Sequence, residues 1–529
     1  MHGRVKVRTT EEEKARIEKE RQEKVKVFKK LMLKIQYKRK ENELDTELLE
    51  LTGKVLMSNP DINTLWNIRR ETFLHIRKDY SEEDLTKMYD DELSITQYCL
   101  KKNPKSYCAW HQRMWVLTTR SDPDWTNELD LCNTYLKLDE RNFHTWNYRR
   151  FVVSQCQPPL QDEFDYTTEK LLDNFSNYSA WHYRSKMLLQ LYPDVKGGRP
   201  IQDIHHKHEL KMVINAAFTD PDDTSAWFYQ RWLLGAVKTS INLVACAVTE
   251  SKITVAFSKP VPLGYVQSST QIFINNNVLN GEWISCCGYQ YDSLWILKQK
   301  VDLMGDMDIK AEYEDENKER IVIKCMKYKE KMYIGKGKIS FENKYSQPVV
   351  EELNDQLKSC RQLLALEPDN KWTLLTTTVF LHCIDAKLNH KEAINNLEIL
   401  KKLDHQRAGY YSDLKSKWCI EEQLPIDYCL NSMVFKVKMS DKITCLPHLQ
   451  YYSFCEEVDL SNQNLCSNVL PSLILLQHCK ILILRNNKLV TLKGFPNIDL
   501  EKLDVQGNDG INVEELKQFK QDHKFVTIF

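Results

Sequence analysis

The chain has 529 residues, enough for several domains rather than one core. Its 74 basic and 74 acidic side chains cancel, so no global field directs it to nucleic acid or a membrane surface. No stretch approaches the ~18 apolar residues of a membrane span, the start MHGRVKVRTTEEEK is charged where a signal peptide is apolar, and the 16 scattered Cys read as reduced thiols of a cytoplasmic protein.

Residues 10–40 read as a charged helix in which Val25, Phe28, Leu31, Met32 and Ile35 form a stripe at helical spacing. From about 43 to 240 one pattern recurs: a turn with Asn, Asp or Pro, then Trp with Arg three residues on. It is read in NPDINTLWNIRR (59–70), NPKSYCAWHQR (103–113), ERNFHTWNYRR (140–150), NFSNYSAWHYR (174–184) and DPDDTSAWFYQRW (220–232). Trp66, Trp110, Trp146, Trp181 and Trp227 therefore stand 44, 36, 35 and 46 residues apart, a helical-repeat period. The polar turn residue caps the coming helix, and Pro stops the one before. Trp and Arg three apart share a helix face. Trp66 with Arg69, Trp110 with Arg113, Trp146 with Arg149 and Trp181 with Arg184 are thus expected to bury an indole and send a guanidinium to polar groups at the rim. Segments 91–102 and 126–138 are amphipathic and supply the partner helix of each hairpin.

Near 241 the texture changes to short runs rich in Val, Ile, Tyr and Trp, separated by Asn, Gly, Pro and Asp turns. Six or seven such strands over about 241–345 predict an immunoglobulin-like β-sandwich. Helical character returns over 351–382 and 391–404, with a degenerate sixth copy, EPDNKWTLL, carrying Trp372. The sandwich therefore reads as an insertion into a helical array that resumes at 346–428. From 429 to 529 the pattern L-x-L-x-x-N-x-L appears in VDLSNQNL, LILRNNKLVTL and LEKLDVQGND, which predicts about three leucine-rich turns. Leu460, Leu484 and Val505 align, and Asn462, Asn487 and Asn508 are expected to satisfy turn backbone with their amides. So short a solenoid is expected to lean on the helical array or on a partner. The fold class expected is mainly α: an α–α superhelical repeat array with these two extra domains.

Chemistry-bearing motifs are sparse. There is no glycine-rich phosphate loop, metal-spaced cluster or nucleophile elbow, and His205, His206 and His208 read as an exposed polar loop. The turns before Trp110 and Trp146 carry Lys105, Tyr107 and His144, which would line one edge of a stack. Each can donate a hydrogen bond and Lys adds a point charge, so the trio suits an anionic, oxygen-rich group; a solvated loop edge is the alternative.

The Trp–Arg hairpins resemble those of the protein prenyltransferase α subunits. The MHGR start, the five copies, the inserted sandwich and the leucine-rich tail together resemble the Rab geranylgeranyltransferase branch of that family over essentially the whole chain. The resemblance implies half of a heterodimer that transfers geranylgeranyl from geranylgeranyl diphosphate to C-terminal cysteines of Rab GTPases presented by a Rab escort protein. It implies that the β subunit holds the catalytic zinc, which presents the acceptor thiol as thiolate. It places Lys105, Tyr107 and His144 at the mouth of the active site, as donors to the diphosphate on which charge grows during transfer. His2 is a candidate ligand to the partner's zinc, with a disordered terminus as the alternative reading. The competing reading is a non-catalytic helical-repeat adaptor that recruits partners through its sandwich and leucine-rich domains.

Overall fold

The computed structural model describes residues 10–194, 199–236, 241–315, 318–339, 341, 345–429, 434–436, 442–522 and 527–528. They fall into two compact units, 1–191 and 192–529. Unit 1 is helical throughout: α1 (Glu11–Lys40), α2 (Thr46–Ser58), α3 (Asn63–Ile76), α4 (Glu82–Lys102), α5 (Tyr107–Thr119), α6 (Trp125–Leu138), α7 (Phe143–Cys156), α8 (Leu160–Asp173) and α9 (Tyr178–Leu191). The pairs α2–α3, α4–α5, α6–α7 and α8–α9 are the expected hairpins, each with Trp in its second helix. Ser106 and Asn142 cap α5 and α7, accepting from the amides of Ala109 and His144.

Every repeat Trp is buried, and each indole N–H donates to the carbonyl six residues before it at 2.8–2.9 Å, from Trp66 to Pro60 through Trp227 to Pro221. Within unit 1 the cap of the next repeat shares that acceptor. Ser106 donates to Pro60, Asn142 to Pro104 and Asn177 to Glu140. One carbonyl thus ties each turn to its neighbour, which satisfies buried backbone and fixes the stacking register.

The guanidinium groups correct the rim expectation, because they are buried. Arg113 grips Glu128 with two bonds of 2.7 and 2.6 Å, and Arg149 grips Glu163 at 2.9 and 2.5 Å. Arg69 does the same to Glu92. Their second nitrogens reach back to the preceding helix, Arg69 to Thr52 and Arg113 to Thr96. Each Arg therefore bridges its own hairpin to the first helix of the next. Bidentate geometry and extra donors are what make a buried pair tolerable.

The fifth copy corrects the pattern itself: Gln230 stands three residues after Trp227, and Arg231 four after it. In unit 2, α10 (Asp203–Thr219) and α11 (Thr224–Gly235) form that hairpin. Gln230 takes the buried place and donates to Gln356, which in turn donates to Glu352.

The inserted domain has nine strands among the described residues, more than the six or seven expected: β1 (Leu243–Thr249), β2 (Ile253–Pro262), β3 (Thr270–Ile274), β4 (Asn277–Val278), β5 (Glu282–Ser285), β6 (Tyr291–Lys298), β7 (Ile309–Glu314), β8 (Arg320–Lys329) and β9 (Met332–Lys336), with the short α12 (Leu263–Ser269). The surplus lies in short or half-exposed strands such as β4 and β5, whose hydrophobic alternation is too brief to read. All pairings are antiparallel in the order β4-β3-β7-β8-β9-β1-β2-β6-β5, and Ile272 of β3 shares one core with Trp295 and Leu297 of β6. A single sheet is therefore curled on itself.

Helices α13 (Gln347–Leu366), α14 (Lys371–Asp385), α15 (His390–Leu403) and α16 (Ala408–Cys429) follow. α13 packs on α10 and α14 on α11, so the hairpin order resumes past the sheet, with Trp372 buried on α14.

Five parallel strands end the described chain: β10 (Val434–Lys436), β11 (Glu457–Asp459), β12 (Ile481–Ile483), β13 (Lys502–Asp504) and β14 (Thr527–Ile528), with α17 (Val513–Asp522) before the last. That is more than three turns. Leu460, Leu484 and Val505 are buried as aligned. Asn487 donates to the carbonyls of Leu460 and Leu484 and accepts from Leu465, and Asn508 does the equivalent for Leu484, Val505 and Leu489. Asn462 does not share this role. It aligns with Asn486, both at positive φ, while Gln463 fills the amide position by accepting from Ile443 and donating to Ser461. These turns lean on α16 through Ser416–Thr444 and on the curled sheet, a contact the sequence did not suggest. There Lys252 donates to the Gln477 carbonyl at 2.7 Å, and His478 meets Thr254 at 3.0 Å.

Candidate functional site

The second, third and fourth Trp turns of unit 1 are built alike, and the second and third carry the candidate residues. The first residue of each turn is Asn103, Asp139 or Asn174, and its side-chain oxygen accepts the amide two residues on, at 2.8–3.2 Å. The same Asx turn recurs at Asn59 and Asp220. It throws the following residue outward: Lys105 stands exposed on the second turn. Its ammonium lies 3.6 Å from the Asp139 carboxylate on the third.

Tyr107 opens α5 and is 67% exposed, whereas His144, in the first turn of α7, is 6% exposed. Their rings meet edge-on with centroids 4.3 Å apart, and Phe143 completes the group at 3.9 Å from the His144 ring and 6.2 Å from Tyr107. Burial holds the His144 imidazole below its ordinary range, and the Lys105 charge lowers it further. At pH 7 the ring is neutral, so it offers a single N–H. The edge thus presents one exposed ammonium, one exposed phenol and one neutral imidazole, a donor set for a phosphoryl oxygen. The trio predicted from sequence is brought together, with Tyr107 on His144 and Lys105 close enough to act on it electrostatically.

Sequence reading missed Asp139 and Phe143. Asp139 occupies the position of Asn59 and Asn103, seven before Trp, and aligning the copies from that residue would have exposed a carboxylate facing Lys105. His2 lies outside the described residues. His205, His206 and His208 are on α10 rather than in a loop. His205 stacks on Tyr192 at 3.6 Å, His206 is buried 3.1 Å from the Leu233 carbonyl, and only His208 is exposed. Among the described residues no group of three or more His, Cys, Asp or Glu is placed to hold a metal ion, and no helix is long and apolar enough to cross a membrane.

Residues 89–120, 125–156, 160–191 and 206–237 match the protein prenyltransferase alpha subunit repeat, one match for each hairpin from α4–α5 to α10–α11. Relatives named geranylgeranyl transferase type-2 subunit alpha, from Sus scrofa and Homo sapiens, are each 35% identical. They align over 528 and 517 residues, which is 96% and 94% of this chain and 91% and 89% of theirs. A Saccharomyces cerevisiae relative of the same name is 31% identical over 288 residues, covering 53% of this chain and 80% of its own.

Proposed function

Since the chain belongs to the protein prenyltransferase α-subunit family, in its geranylgeranyl transferase type-2 branch, we propose that it works as one half of a heterodimer that prenylates Rab GTPases. The observation that carries this reading is identity sustained along nearly the whole length of both proteins, extra domains included. An adaptor built from the same repeats has no comparable support.

In this reading the β subunit binds geranylgeranyl diphosphate, a Rab escort protein presents the Rab tail, and the reaction takes place in the cytoplasm. Zinc held by the β subunit supplies the acceptor cysteine as thiolate. This chain supplies charge stabilisation. Lys105 faces the diphosphate, whose bridging oxygen gains negative charge as the C–O bond to the isoprenoid breaks. Tyr107 and the neutral His144 ring donate to the same group, and donors fixed before the reaction cost no reorganisation during it. Asp139 holds the ammonium at the turn until the diphosphate displaces it as counter-ion. The curled sheet is read as an immunoglobulin-like domain occupying about 241–345, and the five parallel turns as leucine-rich repeats within 429–529.

Co-expression with a type-2 β subunit tests the reading. Transfer of a C20 group to Rab, in the presence of escort protein, is expected from the pair and from neither subunit alone. No transfer by the pair would return the chain to the adaptor class.

A further inference from the structure

The Asx turn that opens each repeat fixes one more side chain than the trio uses. Its third residue, whose amide is accepted by the side chain of the first, is Asp61, Lys105, Arg141, Ser176 or Asp222 in the five copies. The turn is the same each time, so these side chains leave from equivalent points. In chain order they are acidic, basic, basic, neutral and acidic. Cations therefore stand only on the two turns that carry Lys105, Tyr107 and His144.

One carboxylate joins those two cations. Asp139 accepts the Arg141 amide on Oδ1 at 3.2 Å, and its Oδ2 lies 3.6 Å from the Lys105 ammonium. The ammonium thus ends one carboxylate away from the backbone that carries Arg141, within reach of a long side chain. Glu140, just before Arg141, is occupied on the other side, where it accepts from Asn174 on the fourth turn. Three of the four charged third residues are engaged. Asp61 accepts from Asn103 at 2.9 Å, Asp222 accepts from Asn370 at 3.5 Å, and Lys105 faces Asp139. Arg141 is exposed and makes no ion pair or side-chain hydrogen bond among the described residues. Asp139 offsets the Lys105 charge, so the uncompensated cation of this edge is Arg141.

We propose that Arg141 is a second cation of the diphosphate edge, binding the phosphoryl group beyond the one that Lys105 faces. The inference rests on the transferase reading and adds a residue to its site. A diphosphate carries more negative charge than one ammonium cancels, and here that ammonium is already shared with Asp139. A guanidinium presents a planar fork to two phosphoryl oxygens, whereas an ammonium acts as a point charge. Arg141 lies a turn away from Lys105, so it holds the diphosphate equally before and after the C–O bond breaks. Such uniform binding sets affinity more than rate.

The test uses the chain joined to its β subunit, with inorganic diphosphate as a competitor of C20 transfer. Arg141→Ala is expected to weaken that inhibition ~10-fold or more, the usual worth of a charge-assisted hydrogen bond. The KM for geranylgeranyl diphosphate should rise in parallel, and the single-turnover rate at saturation should fall less than the affinity does. Arg141→Lys keeps the charge without the fork and should recover part of the loss. Lys137→Ala removes another exposed cation, at the end of α6, and is expected to change neither quantity. Melting temperature and assembly should stay constant, because Arg141 has no contacts to lose. Unchanged inhibition in Arg141→Ala would overturn the proposal, and so would an equal loss in Lys137→Ala, the mark of a general field. A rise confined to the KM for Rab would also overturn it, by moving Arg141 to the acceptor. Failure of the unaltered pair to transfer a C20 group would instead sink the transferase reading, and this inference with it.

Discussion

Residues 10–191 and the five parallel turns near the C-terminus are both repeat stacks, and both bury polar side chains at repeated positions. The helical repeats bury a charge: Arg69, Arg113 and Arg149 each grip a glutamate on the next hairpin. The parallel turns bury a neutral amide: Asn487 and Asn508 serve backbone groups of their own and the preceding turn. The difference follows from the backbone. Helices satisfy their own carbonyls, so a side chain is free to act between hairpins, and a long bidentate cation spans that distance. Turns between short strands leave carbonyls and amides open, and a side-chain amide offers donor and acceptor together. Charge joins side chains of adjacent hairpins, whereas the amides join backbone groups of adjacent turns.

The comparison breaks most visibly where a single member of the charged clamp is removed. Glu128→Leu strands the Arg113 guanidinium and deprives the Tyr148 hydroxyl, which donates to the same carboxylate, so a loss of ~3–5 kcal/mol is expected in chemical denaturation. Adding Arg113→Met should restore more than half of that; if the double variant is no better than the single, the cost is not that of a stranded charge. Trp146→Ala is expected to cost a similar ~3–5 kcal/mol through a cavity and a lost tie to the Glu140 carbonyl. An unchanged melting curve would remove the indole from the stacking argument.

In the parallel turns, Asn487→Leu preserves bulk but leaves the Leu465 amide and the Leu460 carbonyl unpaired, while Asn508 still serves the Leu484 carbonyl, for an expected loss of ~1–3 kcal/mol. Acid sharpens the contrast further. The amides do not titrate, but His478, buried against the sheet, is pushed down to about 3 by burial and by Lys252 and Lys480. Below its ordinary value of 6.5 the unfolded chain takes up a proton that the folded ring refuses, so stability falls as pH drops from there toward 3. Between pH 6.5 and 5.5 the loss should be about 1 kcal/mol per such group. His478→Asn should show a shallower pH slope in thermal unfolding, and an identical slope would place the titration elsewhere.

Much of this was legible in the sequence. A period marked by Trp needs no neighbour to be read, because a large indole is seldom left exposed, and the turn residues before it announce the caps. The trio of Lys105, Tyr107 and His144 was likewise readable as lying on consecutive turns. What sequence hid was partnership across distance. The glutamates that hold the arginines sit 14 to 23 residues away in helices that look merely acidic, and Asp139 opposite Lys105 looks like an ordinary turn former. Asn462 was misassigned because two adjacent positions, one at positive φ and one buried, both favour amides, and only the backbone distinguishes them. The contact of His478 with the sheet joins residues more than two hundred apart, and no local pattern encodes it.

Lys105 should matter least to stability and most to chemistry, since it is exposed and its partner Asp139 is loosely held. The decisive measurement is the single-turnover rate of C20 transfer by the chain joined to its β subunit, with Lys105→Ala against the unaltered protein. A fall of ~10-fold or more is predicted, with assembly and melting temperature unchanged, because one charge-stabilising donor is typically worth a few kcal/mol in the transition state. Equal rates would contradict the account and leave the edge of the repeats a solvated surface.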